Sequence, residues 1–120
     1  MDKVVQLRDA IAAHVHHGDT IALEGFSHLI PFAAGHEIIR QNITGLTFCR
    51  MTPDLLCDMM LAAGCVDRLV CSFFASGSAG SLYEVRRRIE NHDPAPLPVE
   101  EYSHHAMVLR YHCLLYTSPS

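Results

Sequence analysis

Apolar positions along the chain recur with two alternating spacings, and the switches between them divide it into helices and strands. In residues 5–16, Leu7, Ile11 and Val15 stand four apart, which predicts an amphipathic helix that closes before Gly18. Thr20 then opens a short apolar run, Ile21, Ala22 and Leu23, of the kind carried by a parallel strand buried on both faces. Charge ends the run at Glu24. A turn of Gly25, Phe26, Ser27 and His28 follows. Pro31 suits the first turn of a second helix, because its missing N–H would lack a partner there anyway, and the helix runs on through His36, Ile38 and Ile39.

The same exchange repeats down the chain. Residues 46–51, LTFCRM, predict a strand, and Pro53 starts a third helix. In it Leu55, Leu56, Met59, Met60 and Ala63 face one side, and Gly64 ends it. Residues 67–74 predict a strand centred on Leu69, Val70 and Cys71. The loop ASGSAGS, residues 75–81, leads into a helix over 82–91 whose buried stripe is Leu82, Val85 and Ile89. After HDPAP, residues 97–101 form a short strand, and Ser103 caps a last helix beginning His104, His105, Ala106. Four strand–helix alternations predict an α/β fold, a parallel sheet covered by helices through right-handed crossovers. There is no internal repeat, and HDPAPLP is too short to separate domains.

From Cys113 the pattern changes. CLLYTSPS carries no charge and does not continue the helical spacing. Its reverse translation can be written TGT CTC TTA TAC ACA TCT CCG AGC, which looks like read-through into a transposase-type sequencing adapter. Residues 113–120 are therefore expected not to be native, the last helix to be cut off near His112, and the gene product to be longer.

Composition narrows the class. A chain of 120 residues with 49% hydrophobic and 18% charged residues suits one globular domain or part of a larger one. The net charge of −4 does not invite nucleic acid, whose binders usually carry a basic face. Arg86, Arg87 and Arg88, flanked by Glu84 and Glu90, read as a solvated helix face. No apolar run reaches the roughly 18 residues of a membrane span, and the start MDKVVQLRDA lacks the apolar core of a secretory signal, so a cytoplasmic protein without membrane contact is expected. Cys49, Cys57, Cys65 and Cys71 sit in apolar or helical settings without a CxxC pair, as buried free thiols do.

In such a sheet the loops after each strand share the carboxyl edge, where open α/β folds bind ligands. Residues 24–28, 51–54, 75–81 and 101–105 are expected there. Glu24, Ser27 and His28 bring a carboxylate, a hydroxyl and an imidazole beside a helix amino terminus, a set able to orient an acyl or phosphate group. A solvated or paired Glu24 and an idle loop His28 fit the same residues. Neither GxGxxG nor GxxxxGK[ST] is present, so neither standard nucleotide-phosphate loop is expected. Gly77, Ser78 and Gly80 offer backbone N–H groups and a hydroxyl to an anion, or simply make a turn. Glu100 and Glu101 alternate across a strand, so one of them faces the site, and Glu24 and Glu101 stand as candidate catalytic carboxylates. The histidines at 14, 16, 17, 104 and 105 form no HExxH, and no GxSxG elbow occurs, so neither a metal nor a serine triad is expected.

GDTIALEGFSHLIPFAAGHEIIRQ, followed by LTFCRMTPDLLCDMM and by the later GSL and VEEYSHHAM, resembles the A subunit of family I coenzyme A transferases, in its glutaconate-type branch, over residues 1–112. The resemblance implies a three-layer α/β fold. It also implies that CoA is a substrate with no separate cofactor, and that a glutamate attacks the acyl-CoA thioester to give an anhydride and then a glutamyl-CoA thioester. That nucleophile belongs to the B subunit, in a Ser-Glu-Asn-Gly motif, and this chain has none. The chain is then expected to supply one wall of a site at the interface with the B subunit. There Glu24, Gly25, Phe26, Ser27, His28, Gly77, Ser78, Gly80, Ser103 and His104 would meet an acyl-CoA and a small carboxylic acid. Glu24 replaces the first glycine of the wider family's glycine-rich turn, as in the branch with Glu-Gly-Phe at this place. Other readings stay open: a CoA-dependent ring-opening hydrolase using Glu24 or Glu101 on water or substrate, a non-catalytic scaffold whose histidine pairs hold metal, and a sugar-phosphate isomerase on a related sheet.

Overall fold

The structure is a computed structural model that describes residues 2–25, 29–73 and 82–117, the side chains of 114–117 excepted. Helices and strands alternate in it as α1 (Leu7–His14), β1 (Thr20–Ala22), α2 (Phe32–Arg40), β2 (Leu46–Cys49), α3 (Leu55–Ala62), β3 (Val66–Cys71), α4 (Tyr83–Asn91), β4 (Val99–Glu101) and α5 (His104–Thr117). The four strands pair in parallel in the order β1-β2-β3-β4. Because every crossover steps to the next strand in the same direction, right-handed connections stack the helices between them on one face. Accordingly α1 packs on α2, α2 on α3 and α3 on α4.

Register then decides which side chains are buried. Ile21, Phe48, Leu69 and Val99 align across the four strands on the helix-covered face, with Phe48 and Leu69 fully buried. One position on, Ala22, Cys49, Val70 and Glu100 align on the opposite face, and Thr20, Thr47 and Arg68 stand beside them. That face is more open. The expectation that β1 is buried on both faces is therefore corrected: Thr20 and Ala22 are exposed, because among the described helices α5 alone lies over this side. A bulge at Asp67 shifts the register from Leu46↔Val66 to Thr47↔Arg68.

Two helices differ from their sequence pattern. α3 begins after Asp54, whose side chain caps it by accepting the Leu56 N–H at 3.3 Å. Its buried residues are Leu56, Cys57, Met60 and Leu61, while Leu55 is exposed and Ala63 lies just past its end. Sitting between α2 and α4 rotates α3 away from the expected stripe. Gly35 on α2 makes room for it, since a Cβ there would lie 3.1 Å from Leu56 Cγ. On α4 only part of the arginine run is solvated. Arg86 pairs with Glu90 and Arg87 with Glu84, but Arg88 is buried and donates to the carbonyls of Val66, Ala95 and Pro96 at 2.9, 3.2 and 3.4 Å. The inner face of α4 crosses the start of β3, whose Val66 carbonyl accepts from the guanidinium.

Cys57, Cys65 and Cys71 are buried and Cys49 half-buried, all of them free thiols. Burial pushes all four up, Cys71 to about 11 with help from the Glu101 charge. α5 runs through Thr117. No described helix is long and apolar enough to cross a membrane.

Candidate functional site

The carboxyl ends of β1 and β2 are joined by one buried cation. Arg50, 2% exposed, follows β2 directly and its backbone N–H still bonds the Val70 carbonyl at 3.0 Å. Its Nε donates to the Thr52 carbonyl at 3.1 Å and its Nη1 to the Leu23 carbonyl at 3.3 Å. Nη2 donates to the Gly25 carbonyl and, at 2.8 Å, to Asp54 Oδ2. A buried guanidinium needs this degree of pairing, and in obtaining it Arg50 fixes the backbone on both sides of Glu24. Asp54 serves twice, since its other oxygen caps α3.

Glu24 is held from the opposite direction. Its Oε1 accepts the Met51 N–H at 2.6 Å and the Tyr111 hydroxyl at 2.8 Å. Burial, then the hydrogen bond and charge of Glu24, hold the Tyr111 phenol well above its ordinary range, so it remains a protonated donor. Tyr111 arrives there because α5 is anchored one turn earlier by buried Met107 and capped by Ser103, whose Oγ accepts the Ala106 N–H at 3.1 Å. Glu24, Gly25, Arg50, Met51, Thr52 and Tyr111 line a cavity of about 300 Å³. Gly25 has φ +148°, and a Cβ on it would press on the Leu29 carbonyl, 2.7 Å from its carbon, so the backbone approaches more closely than a side chain permits.

The ends of β3 and β4 complete the rim. The Met51 carbonyl accepts from the Ser72 and Phe73 N–H groups at 2.9 and 3.1 Å. His104 bonds Ser72 Oγ through Nδ1 and lies 3.4 Å from Thr52 Oγ1 through Nε2. Three strand ends thus meet around Met51, Thr52 and His104.

Of the residues expected at the site, Glu24 and Gly25 line this cavity, and His104 reaches it through Thr52. Ser103 acts as a helix cap. Glu101 is exposed at the end of β4, in register with Cys71, while Glu100 on the other face pairs with Arg68 and accepts from Tyr102 at 3.0 Å. Phe26, Ser27, His28, Gly77, Ser78 and Gly80 lie outside the described residues. Arg50, Thr52 and Tyr111 are not singled out by their sequence pattern. The available signal is an arginine closing an apolar strand four residues before a helix-capping aspartate. His17 Nδ1 accepts the Thr44 N–H at 3.0 Å, and among the described residues no three His, Cys, Asp or Glu side chains are placed to hold a metal ion.

The described part of the site holds a carboxylate fixed on two donors, a protonated phenol and a clamped backbone, with the half-buried Cys49 thiol near Glu24 and Tyr111. Residues 4–94 match the family model for Coenzyme A transferase, and the chain belongs to that family. It is 46% identical over 104 residues to the A subunit of 3-oxoadipate CoA-transferase from Pseudomonas knackmussii, covering 87% of this chain and 37% of that protein. The A subunit of glutaconate CoA-transferase from Acidaminococcus fermentans is 36% identical over 114 residues, covering 93% of this chain and 35% of that one. The crystal structure of the Acidaminococcus fermentans enzyme superimposes with a TM-score of 0.84 at 33% identity, over 98% of this chain and 37% of that chain. The chain therefore spans little more than a third of the length of these two curated relatives.

Proposed function

We propose that this chain is the amino-terminal part of the A subunit of an acyl-CoA:carboxylate CoA-transferase, acting on a small dicarboxylic acid such as 3-oxoadipate or glutaconate. The observation that carries the reading is the 46% identity to an A subunit whose name states that activity. The site is consistent with it: the Glu24 carboxylate is engaged by the Met51 N–H and the Tyr111 hydroxyl, as suits a residue that orients a ligand rather than one free to attack a thioester. In the proposed reaction a glutamate of the B subunit attacks the thioester carbonyl, forming an acyl–glutamyl anhydride and releasing CoA thiolate. The thiolate attacks the glutamyl carbonyl, which releases the acyl group as its carboxylate and leaves a glutamyl-CoA thioester. The acceptor carboxylate then runs both steps in reverse and leaves as the new acyl-CoA. CoA passes from the donor acyl group to the acceptor acid as part of the substrates, with no further cofactor.

In this reading residues 113–120 stand outside the native fold, and Phe26, Ser27, His28, Gly77, Ser78, Gly80, Ser103 and His104 join Glu24 and Gly25 in meeting the acyl group and the acid. A cytoplasmic location belongs to the same reading, supported by the free thiols of Cys49, Cys57, Cys65 and Cys71. The test is to co-express the full-length protein with a B subunit of the same family, and to measure CoA transfer to 3-oxoadipate and to glutaconate beside hydrolysis. Transfer to either acid above hydrolysis is expected. Hydrolysis without transfer would replace this reading with the hydrolase one.

A further inference from the structure

Resting on that reading, we propose that Tyr111 is a positioning residue for the reaction: from α5 it pins Glu24 Oε1 against the Met51 N–H, so that the carboxylate meets the bound acid at a fixed place on the pocket wall. Glu24 and Tyr111 are 87 residues apart, yet the hydroxyl lies 2.8 Å from Oε1. The Met51 N–H reaches the same oxygen at 2.6 Å. Two donors on one oxygen set the plane of the carboxylate, where one would leave it free to swing.

The neighbourhood makes the arrangement rigid. Met51 is itself held through its carbonyl by the Ser72 and Phe73 N–H groups, and Arg50 holds the carbonyls of Leu23 and Gly25 on either side of Glu24. Tyr111 is the one member of this set delivered by a helix on the open face of the sheet. It lines both the 300 Å³ cavity at the rim and the neighbouring 330 Å³ cavity between α5 and the strands. Because the phenol keeps its proton throughout the neutral range, it is a constant donor. A carboxylate fixed this way favours one placement of an anionic ligand over others, the positional control on which rate depends steeply.

The experiment is a double-mutant cycle in the full-length two-subunit enzyme, with Tyr111→Phe, Glu24→Gln and both together. Tyr111→Phe keeps the ring and removes only the hydroxyl. It is expected to lower kcat/KM for the acid about tenfold, the size of one lost hydrogen bond to a charged group. The double variant is expected to match Glu24→Gln within about twofold, because the hydroxyl acts only through the carboxylate. An effect of Tyr111→Phe below about twofold, or additive losses in the double variant, would overturn the proposal. Should the wild-type complex transfer no CoA, the functional reading fails separately, and the same cycle is read in the dissociation constants of 3-oxoadipate and glutaconate by calorimetry. Non-additive loss of affinity there supports the role of Tyr111, and additive or absent loss removes it.

Discussion

Buried Arg50 and part-buried Asp54 form an ion pair across the start of α3, with 2.8 Å between Nη2 and Oδ2, and the other oxygen of the same aspartate caps the helix. One side chain thus neutralises the cation that fixes the pocket backbone and caps the amino terminus of the helix beside it. Asp54→Ala leaves Arg50 without its counter-ion and is expected to lower the unfolding free energy by roughly 3–5 kcal/mol. Urea denaturation of the intact protein measures this. A loss within about 1 kcal/mol, the range of an exposed pair, would show that Arg50 does not depend on Asp54.

Gly25→Ala places a methyl group against the Leu29 carbonyl at a φ of +148°. Strain of this kind costs on the order of 1–3 kcal/mol, and relief requires moving the segment that carries Glu24. The expected result is reduced stability together with a raised KM for the acid in the assembled enzyme. Unchanged stability and kinetics would mean that the turn has slack the geometry does not show.

The arginine run on α4 gives a comparison within one helix. Arg88→Ala strips a buried donor from three carbonyls and is expected to destabilise by roughly 2–4 kcal/mol, whereas Arg86→Ala removes an exposed pair worth less than about 1 kcal/mol. Thermal unfolding of the two variants, side by side, should separate them clearly. Equal shifts would place Arg88 at the surface.

The buried thiols predict how stability depends on alkaline pH. An unfolded thiol titrates near 9.0, while Cys71 in the fold titrates at about 11, and Cys49, Cys57 and Cys65 are shifted in the same direction. The unfolded chain releases these protons first, so the Cys71 contribution is complete below pH 9 and is lost as pH rises towards 11, and the other three act in the same direction. Denaturation series at increasing pH should show falling midpoints across that window. Midpoints that rise over it would contradict the burial of these cysteines.

The alternation of elements was legible in the sequence because each strand and helix carries its own period, and a parallel sheet follows from their order. Glu24 and Gly25 were legible too, since charge and glycine directly after an apolar run mark a strand end. Arg50 was hidden: an arginine closing a strand reads as the start of a solvated loop, and only the tertiary carbonyls of Leu23 and Gly25 bury it. Tyr111 could not be read from local pattern, because its partner lies 87 residues away and its direction depends on the phase of α5. The open face of β1 was missed for a similar reason. Three apolar residues in a row fit burial on both faces, but the connections decide which face receives helices.

The most direct test of the central claim, that this chain forms a pocket wall while its partner brings the nucleophile, is the half-reaction. The full-length complex is incubated with acyl-CoA in the absence of an acceptor acid, and each polypeptide is weighed intact by mass spectrometry. A CoA adduct on the partner, with none on this chain, is the predicted result. An adduct on this chain, above all one abolished by Glu24→Gln, would make Glu24 the nucleophile and contradict the account.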